Sequence, residues 1–180
     1  MTASDKFIEQ LESIHRELGI PASFLEQCPL PLCTEPGELA DTEPDFYQRP
    51  QRLIPPAGAA WSAMKQAAAD DGITLFLISA YRSLDYQKQL IAKKLAGGQV
   101  IDAILKVNAP PGFSEHHTGR AVDLGTTDCE PLTEAFENTP AFDWLQKHAA
   151  EFRYFLSYPR DNPWGIDYEP WHWCFRSPGN

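Results

Sequence analysis

The stretch Ser114-Glu115-His116-His117-Thr118-Gly119-Arg120-Ala121-Val122-Asp123 sets two imidazoles, a glycine and two carboxylates close together. A second cluster, Glu169-Pro170-Trp171-His172-Trp173, stands near the C-terminus. Together these residue types suit a catalytic divalent metal. Such a zinc takes three protein ligands through nitrogen or oxygen and keeps one position open. His116, Asp123 and His172 are the three candidates. Two neutral imidazoles and one carboxylate leave the ion a net positive charge, which brings the pKa of a water there towards ~7. A neighbouring carboxylate that is not a ligand can take that proton and return it to a leaving amine. Glu169 is the candidate base, and Arg82 suits the cation needed beside the oxygen where negative charge develops.

Elements elsewhere in the chain must position these groups. His116 and Asp123 are seven residues apart with Gly119 between them, so a turn running into a strand would aim both inward. Ala121-Val122-Asp123-Leu124 reads as that strand, ended by Gly125 and Thr126. Tyr168 to Phe175 reads as a last strand, on which alternation points His172 away from Trp171 and Trp173. A bend at Pro170 would then bring Glu169 to the same side. The apolar run Ile73–Ala80 is a buried strand that delivers Arg82 at its end. Ser83 caps a helix that carries Gln87 and Ile91 and stops at Gly97-Gly98.

The remaining pattern is mostly helical. Pro56 opens a helix running to Ala69, Ile101 to Val107 is a shorter one, and Thr139-Pro140 begins another. Tyr154 to Tyr158 reads as a strand. Phe7, Leu11, Ile14 and Leu18 make one stripe of an N-terminal helix capped at Ser4 or Asp5, with His15 at its surface or boundary. Residues 28–56 hold seven prolines yet keep Leu30, Leu39, Phe46 and Leu53, which predicts an ordered, irregular arm. Asp41, Glu43 and Asp45 read as a solvated loop on it. The fold class is therefore α+β, a small central antiparallel sheet flanked by helices. A helix and proline-rich arm over residues 1–52 pack on a catalytic domain over 53–180.

Composition narrows the partners. A formal charge of −10 on 180 residues disfavours nucleic acid and anionic membrane surfaces. The first residues lack a basic stretch leading into an apolar one, and no apolar run is long enough to cross a bilayer. The expectation is a cytoplasmic protein without membrane insertion, or a periplasmic one had a leader been removed. Cys28, Cys33, Cys129 and Cys174 make no CxxC pair and are expected to be reduced and structural, unless an oxidising compartment joins Cys28 to Cys33. Oligomeric state stays open.

The pattern Ser114-x-His116-x-x-Gly119-x-Ala121-x-Asp123 with a late Glu169-x-x-His172 resembles the zinc D-alanyl-D-alanine carboxypeptidases and dipeptidases, including the VanY-type enzymes. These share a fold with LytM-type endopeptidases and the hedgehog domain. The upstream Ser79-Ala80-Tyr81-Arg82-Ser83 with Gln87, and the Tyr158-Pro159 and Tyr168-to-His172 wording, match as well. The resemblance covers roughly residues 53–176. It implies one zinc on His116, Asp123 and His172, Glu169 as general base and Arg82 on the polarised carbonyl. It implies Ser114 and Gln87 at the substrate's terminal residue. The implied reaction is release of a C-terminal D-alanine from peptidoglycan-type peptides, D,D or L,D. Arg153 departs from the pattern, standing where a glycine is expected.

Plainer roles compete with these. Ser114 could cap a turn, Gln87 could lie on a helix surface and Arg82 could pair with an acid. Adjacent residues on an extended segment face apart, which leaves His117 at the surface or behind the ligands. Glu115 has no functional case of its own. For the whole chain the alternatives are a stem-peptide endopeptidase and a non-catalytic zinc-containing binding module.

Overall fold

The computed structural model describes residues 3–177. Its centre is a four-stranded, wholly antiparallel sheet in the order β3-β4-β6-β5, built from Phe76–Ser79, Ala121–Gly125, His172–Phe175 and Tyr154–Leu156 respectively. A two-stranded ribbon, β1 (Ala40–Thr42) with β2 (Gln51–Leu53), stands beside it. Six α-helices complete the described chain: α1 (Ala3–Glu17), α2 (Ala22–Gln27), α3 (Pro55–Asp70), α4 (Leu84–Ala96), α5 (Ile101–Val107) and α6 (Pro140–His148).

Two helices make the main core. Trp61 and Met64 of α3 and Phe142 and Leu145 of α6 bury Leu77, Leu124, Tyr154 and Trp173 of the sheet. Each such side chain contributes about 1.5–3 kcal/mol when it leaves water. The Tyr154 hydroxyl donates to the Ala57 carbonyl at 3.0 Å, which satisfies its polar end inside that core. A second cluster joins Ile14 and Leu18 of α1 to Ile91 of α4 and Ile104 and Leu105 of α5. Caps fall where the sequence puts them. Ser83 accepts from the Tyr86 amide at 3.1 Å and Thr139 from the Phe142 amide at 3.2 Å.

Several local expectations are corrected. Helix α1 spans Ala3–Glu17 among the described residues, so Ser4 and Asp5 lie within it rather than before it. Residues 22–27 form a further short helix, α2. The last strand starts at His172, because the His172 amide donates to the Glu169 carbonyl and closes a turn over Pro170 and Trp171. His15 is not at the surface. It is 4% exposed, and its Nε2 lies 2.7 Å from the Pro111 carbonyl, which ties α1 to the turn that precedes Ser114. Arg153 takes φ 64°, the left-handed conformation that the expected glycine would adopt freely. Its Nε donates to the Arg176 carbonyl and holds the side chain there.

The acidic loop of the arm is not uniformly solvated either. Asp41 is exposed, but Asp45 is 1% exposed and accepts from the Tyr47 and Arg49 amides, Arg49 Nε and Gln51 Nε2. Glu43 accepts from Trp61 Nε1 at 3.1 Å and pairs with Lys65. The loop is thereby fastened to α3 and to the edge of β3, where Arg49 Nη2 reaches the Ile78 carbonyl.

Candidate metal centre

Strand pairing creates the centre. Asp123 on β4 stands directly opposite His172 on β6, so their side chains leave one face of the sheet as cross-strand neighbours. His116 arrives from a short 3-10 turn, Glu115–Thr118, that ends in Gly119. Gly119 holds φ 64°, and a Cβ there would lie 2.8 Å from Leu39 Cδ2 and 3.2 Å from the Ile54 amide. Only glycine lets the chain reverse between the two ligands while the arm packs on the turn. His116, Asp123 and His172 each offer a ligand atom within 4.8 Å of the others, and all three are buried.

Hydrogen bonds decide which atoms are free. His116 Nδ1 lies 2.6 Å from the Ala80 carbonyl, so that nitrogen carries the hydrogen and Nε2 keeps a lone pair. That Nε2 faces Asp123 Oδ2 at 3.3 Å and has no hydrogen-bond partner. Two acceptors facing each other in a buried site call for a cation between them. His172 makes the same point differently. Its Nδ1 is 3.1 Å from Asp123 and its Nε2 is 2.9 Å from Glu115 Oε2.

The charges follow from these neighbours. Burial and then Arg82 bring the His116 pKa down to about 4, so its ring is neutral at pH 7. Burial also disfavours charge on His172, but Asp123 and Glu115 outweigh it and lift the ring to about 10. A proton there stands where a cation would neutralise the carboxylates. Asp123 is held well below the usual carboxylate range, the two imidazoles overcoming its burial. Two imidazole nitrogens and one carboxylate oxygen, one nitrogen orphaned, fit a divalent metal of the zinc type.

The other named residues gather round this group. Glu169 Oε2 is 3.7 Å from His172 Nδ1, and among the described residues no hydrogen-bond donor reaches its carboxylate. Burial, the largest influence on it, raises its pKa to about 7. Arg82 pairs with no acid among the described residues, and its Nε is buried without a partner. The guanidinium acts electrostatically on both His116 and Glu169. Gln87 is not on a helix surface: it is fully buried, its Nε2 donates to the Ala109 carbonyl at 2.8 Å, and its Oε1 is unpartnered. Ser114 is buried, and its side chain makes no capping bond.

Two neighbours escaped the sequence, and a third, His117, takes the second of its two expected places, buried behind the candidate ligands. Its Nδ1 lies 2.7 Å from the Arg82 carbonyl, so it fixes the backbone that carries Arg82. Lys94 lies one helical turn beyond Ile91 and two beyond Gln87, close enough to interact with Arg82 and Glu169. The helical spacing from Gln87 was the signal that could have found it. Glu115 meets His172, and a carboxylate beside a candidate metal histidine is the residue type that orients such rings.

Residues 50–178 match the family model described as D-alanyl-D-alanine carboxypeptidase, VanY. The chain belongs to this family. Among curated relatives of the carboxypeptidase family, YodJ of Bacillus subtilis (strain 168) is 33% identical over 174 residues, spanning 93% of this chain and 63% of its own length. A solved LdcB LD-carboxypeptidase is 32% identical with a TM-score of 0.69, covering 78% of this chain and 69% of its own. A VanY D,D-pentapeptidase solved in complex with Zn(II) shares the fold, with a TM-score of 0.62 at 22% identity, covering 81% of this chain and 86% of that one. The chain thus spans less than two thirds of YodJ.

Proposed function

We propose that this protein is a zinc-dependent carboxypeptidase that releases a C-terminal D-alanine from peptidoglycan-type peptides. The observation that carries the reading is the buried His116–Asp123–His172 group, with Glu169 unpartnered 3.7 Å from one ligand ring. Zn(II) in the VanY structure and the family's D-alanyl-D-alanine description support the choice of metal and substrate.

His116 through Nε2, His172 through Nδ1 and Asp123 would hold the ion. When bound, it supplies Lewis acidity and an acidified water. The protein's own groups do the rest. Glu169, whose proton affinity sits near neutrality, takes up a proton at its carboxylate and delivers it to the departing amine of D-alanine. Arg82, which forms no ion pair among the described residues, stabilises negative charge on the oxygen of the scissile carbonyl. Lys94 adds positive charge on the same side, suited to the free carboxylate that a C-terminal residue brings. Gln87 Oε1 and Ser114 offer hydrogen-bonding groups at the terminal residue.

The test is D-alanine release from peptides ending in D-Ala-D-Ala and in L-Lys-D-Ala, with the protein stripped of metal and reloaded with zinc. Release is expected only with zinc, and Glu169→Gln should lower kcat about 10²–10⁴-fold with zinc still bound. Cleavage inside the peptide rather than at its end would replace this reading with an endopeptidase. Zinc binding without any cleavage would make the protein a binding module.

A further inference from the structure

We propose that Glu115 is a positioning residue for the metal centre, accepting the Nε2 hydrogen of His172 so that the Nδ1 lone pair is presented to the ion. The inference rests on the metal reading above. A neutral imidazole has one N–H and one lone pair, and whatever the first bonds to decides where the second points. In His116 a backbone carbonyl makes that choice, through the 2.6 Å contact of Nδ1 with Ala80. In His172 no backbone group does. Its Nδ1 faces Asp123 and Glu169 at 3.1 and 3.7 Å, and its Nε2 faces Glu115 Oε2 at 2.9 Å. The two rings therefore offer the ion opposite nitrogens.

Glu115 is suited to this part and not to ligation. It approaches the side of the ring turned away from Asp123, and it stands apart from the three residues whose ligand atoms converge. It also opens the same 3-10 turn that carries His116. One turn thus supplies the first ligand and orients the third, 57 residues later in the chain. Its negative charge additionally makes the His172 Nδ1 a stronger donor to the metal.

Zinc dissociation constants measured by chelator competition for the parent, Glu115→Gln and Glu115→Ala test this, together with ¹H–¹⁵N NMR of the His172 Nε2–H in the zinc-loaded proteins. Glu115→Ala should weaken zinc binding towards 100-fold and Glu115→Gln about 10-fold, the range for groups that orient metal ligands. The amide oxygen of glutamine still accepts a hydrogen bond, so the Nε2–H signal should stay hydrogen-bonded and far downfield in Glu115→Gln and lose that shift in Glu115→Ala. Parental affinity in both variants overturns the proposal, as does an unchanged His172 signal in Glu115→Ala. A role in packing alone would lower thermal stability without moving that signal, and also overturns it. If Glu115→Ala does not fold, Glu115→Gln decides: undiminished affinity rejects the role. A parent that binds no zinc rejects the metal reading itself.

Discussion

Asp45 and Asp123 are both aspartates shut away from water, 1% and 4% exposed, and they differ in what answers their charge. Asp45 accepts four hydrogen bonds, two from backbone amides and two from Arg49 and Gln51 side chains. No acceptor capacity is left for anything else. Among the described residues Asp123 meets only the two imidazoles, one of them through a nitrogen that has no hydrogen to give. Glu169 extends the series, for no donor among the described residues reaches its carboxylate. A carboxylate answered by the protein itself is a structural part, and one left unanswered in a buried site is kept for something that arrives.

The two regions are nevertheless joined. Asp45 holds Gln51 Nε2, Gln51 Oε1 accepts from the Ala80 amide at 2.8 Å, and the Ala80 carbonyl meets His116. The arm therefore ends, three hydrogen bonds later, on the first candidate metal ligand. This chain makes the contrast testable at both ends.

The largest effect is expected at Asp123. Asp123→Ala should reduce zinc affinity by at least about 10⁴-fold, well beyond the 10–100-fold typical of groups outside the ligand set. Chelator competition measures it. Retained stoichiometric, tight zinc would remove Asp123 from the ligand set and erase its difference from Asp45.

Asp45→Ala should do the reverse. It strands two amides, a guanidinium and a buried amide side chain, so it should cost about 4 kcal/mol of stability. For a chain of this size that lowers Tm by roughly 8–16 °C, while zinc affinity changes less than about 10-fold. Asp41→Ala on the same loop should stay within about 0.5 kcal/mol, since Asp41 is exposed. Thermal unfolding of the metal-free variants decides, and equal effects at positions 41 and 45 would make the loop the solvated one that the sequence suggests.

That loop shows where the sequence ceased to be legible. That His116, Asp123 and His172 would meet in one buried group, with Glu169 beside it and a glycine at the reversal, could be read because metal chemistry restricts residue type and spacing together. Ser83 and Thr139 could be read because a cap is a local event. Asp41, Glu43 and Asp45 look alike in sequence, and only the turn at Gln48, with φ 63°, folds donors around one of them. His15 bonds a carbonyl 96 residues away, and Glu115 an imidazole 57 residues away. No local pattern encodes such meetings. His117 could be read only as far as two alternatives, and the 3-10 turn decides between them: the segment is not extended, so neighbouring residues need not face apart, and both imidazoles are buried.

Glu169 supplies the smallest and most diagnostic effect, through pH. In the metal-free protein its pKa is raised from 4.5 to about 7, burial being the main cause. Below pH 4.5 the group is protonated in folded and unfolded chains alike, and its contribution to stability is fully present. Between 4.5 and about 7 the unfolded chain releases the proton while the folded chain keeps it, so this contribution falls as pH rises. The shift corresponds to about 3 kcal/mol at most, at roughly 1.4 kcal/mol per pKa unit. Glu169→Gln has no such proton to lose. In chelator, the denaturant midpoint of the parent should therefore fall relative to Glu169→Gln from pH 4.5 to 7.5, and the gap should close when zinc is added, because a cation beside the carboxylate favours its charged form. Parallel curves in chelator would mean that some donor answers Glu169 after all, which would move it from the side of Asp123 to the side of Asp45.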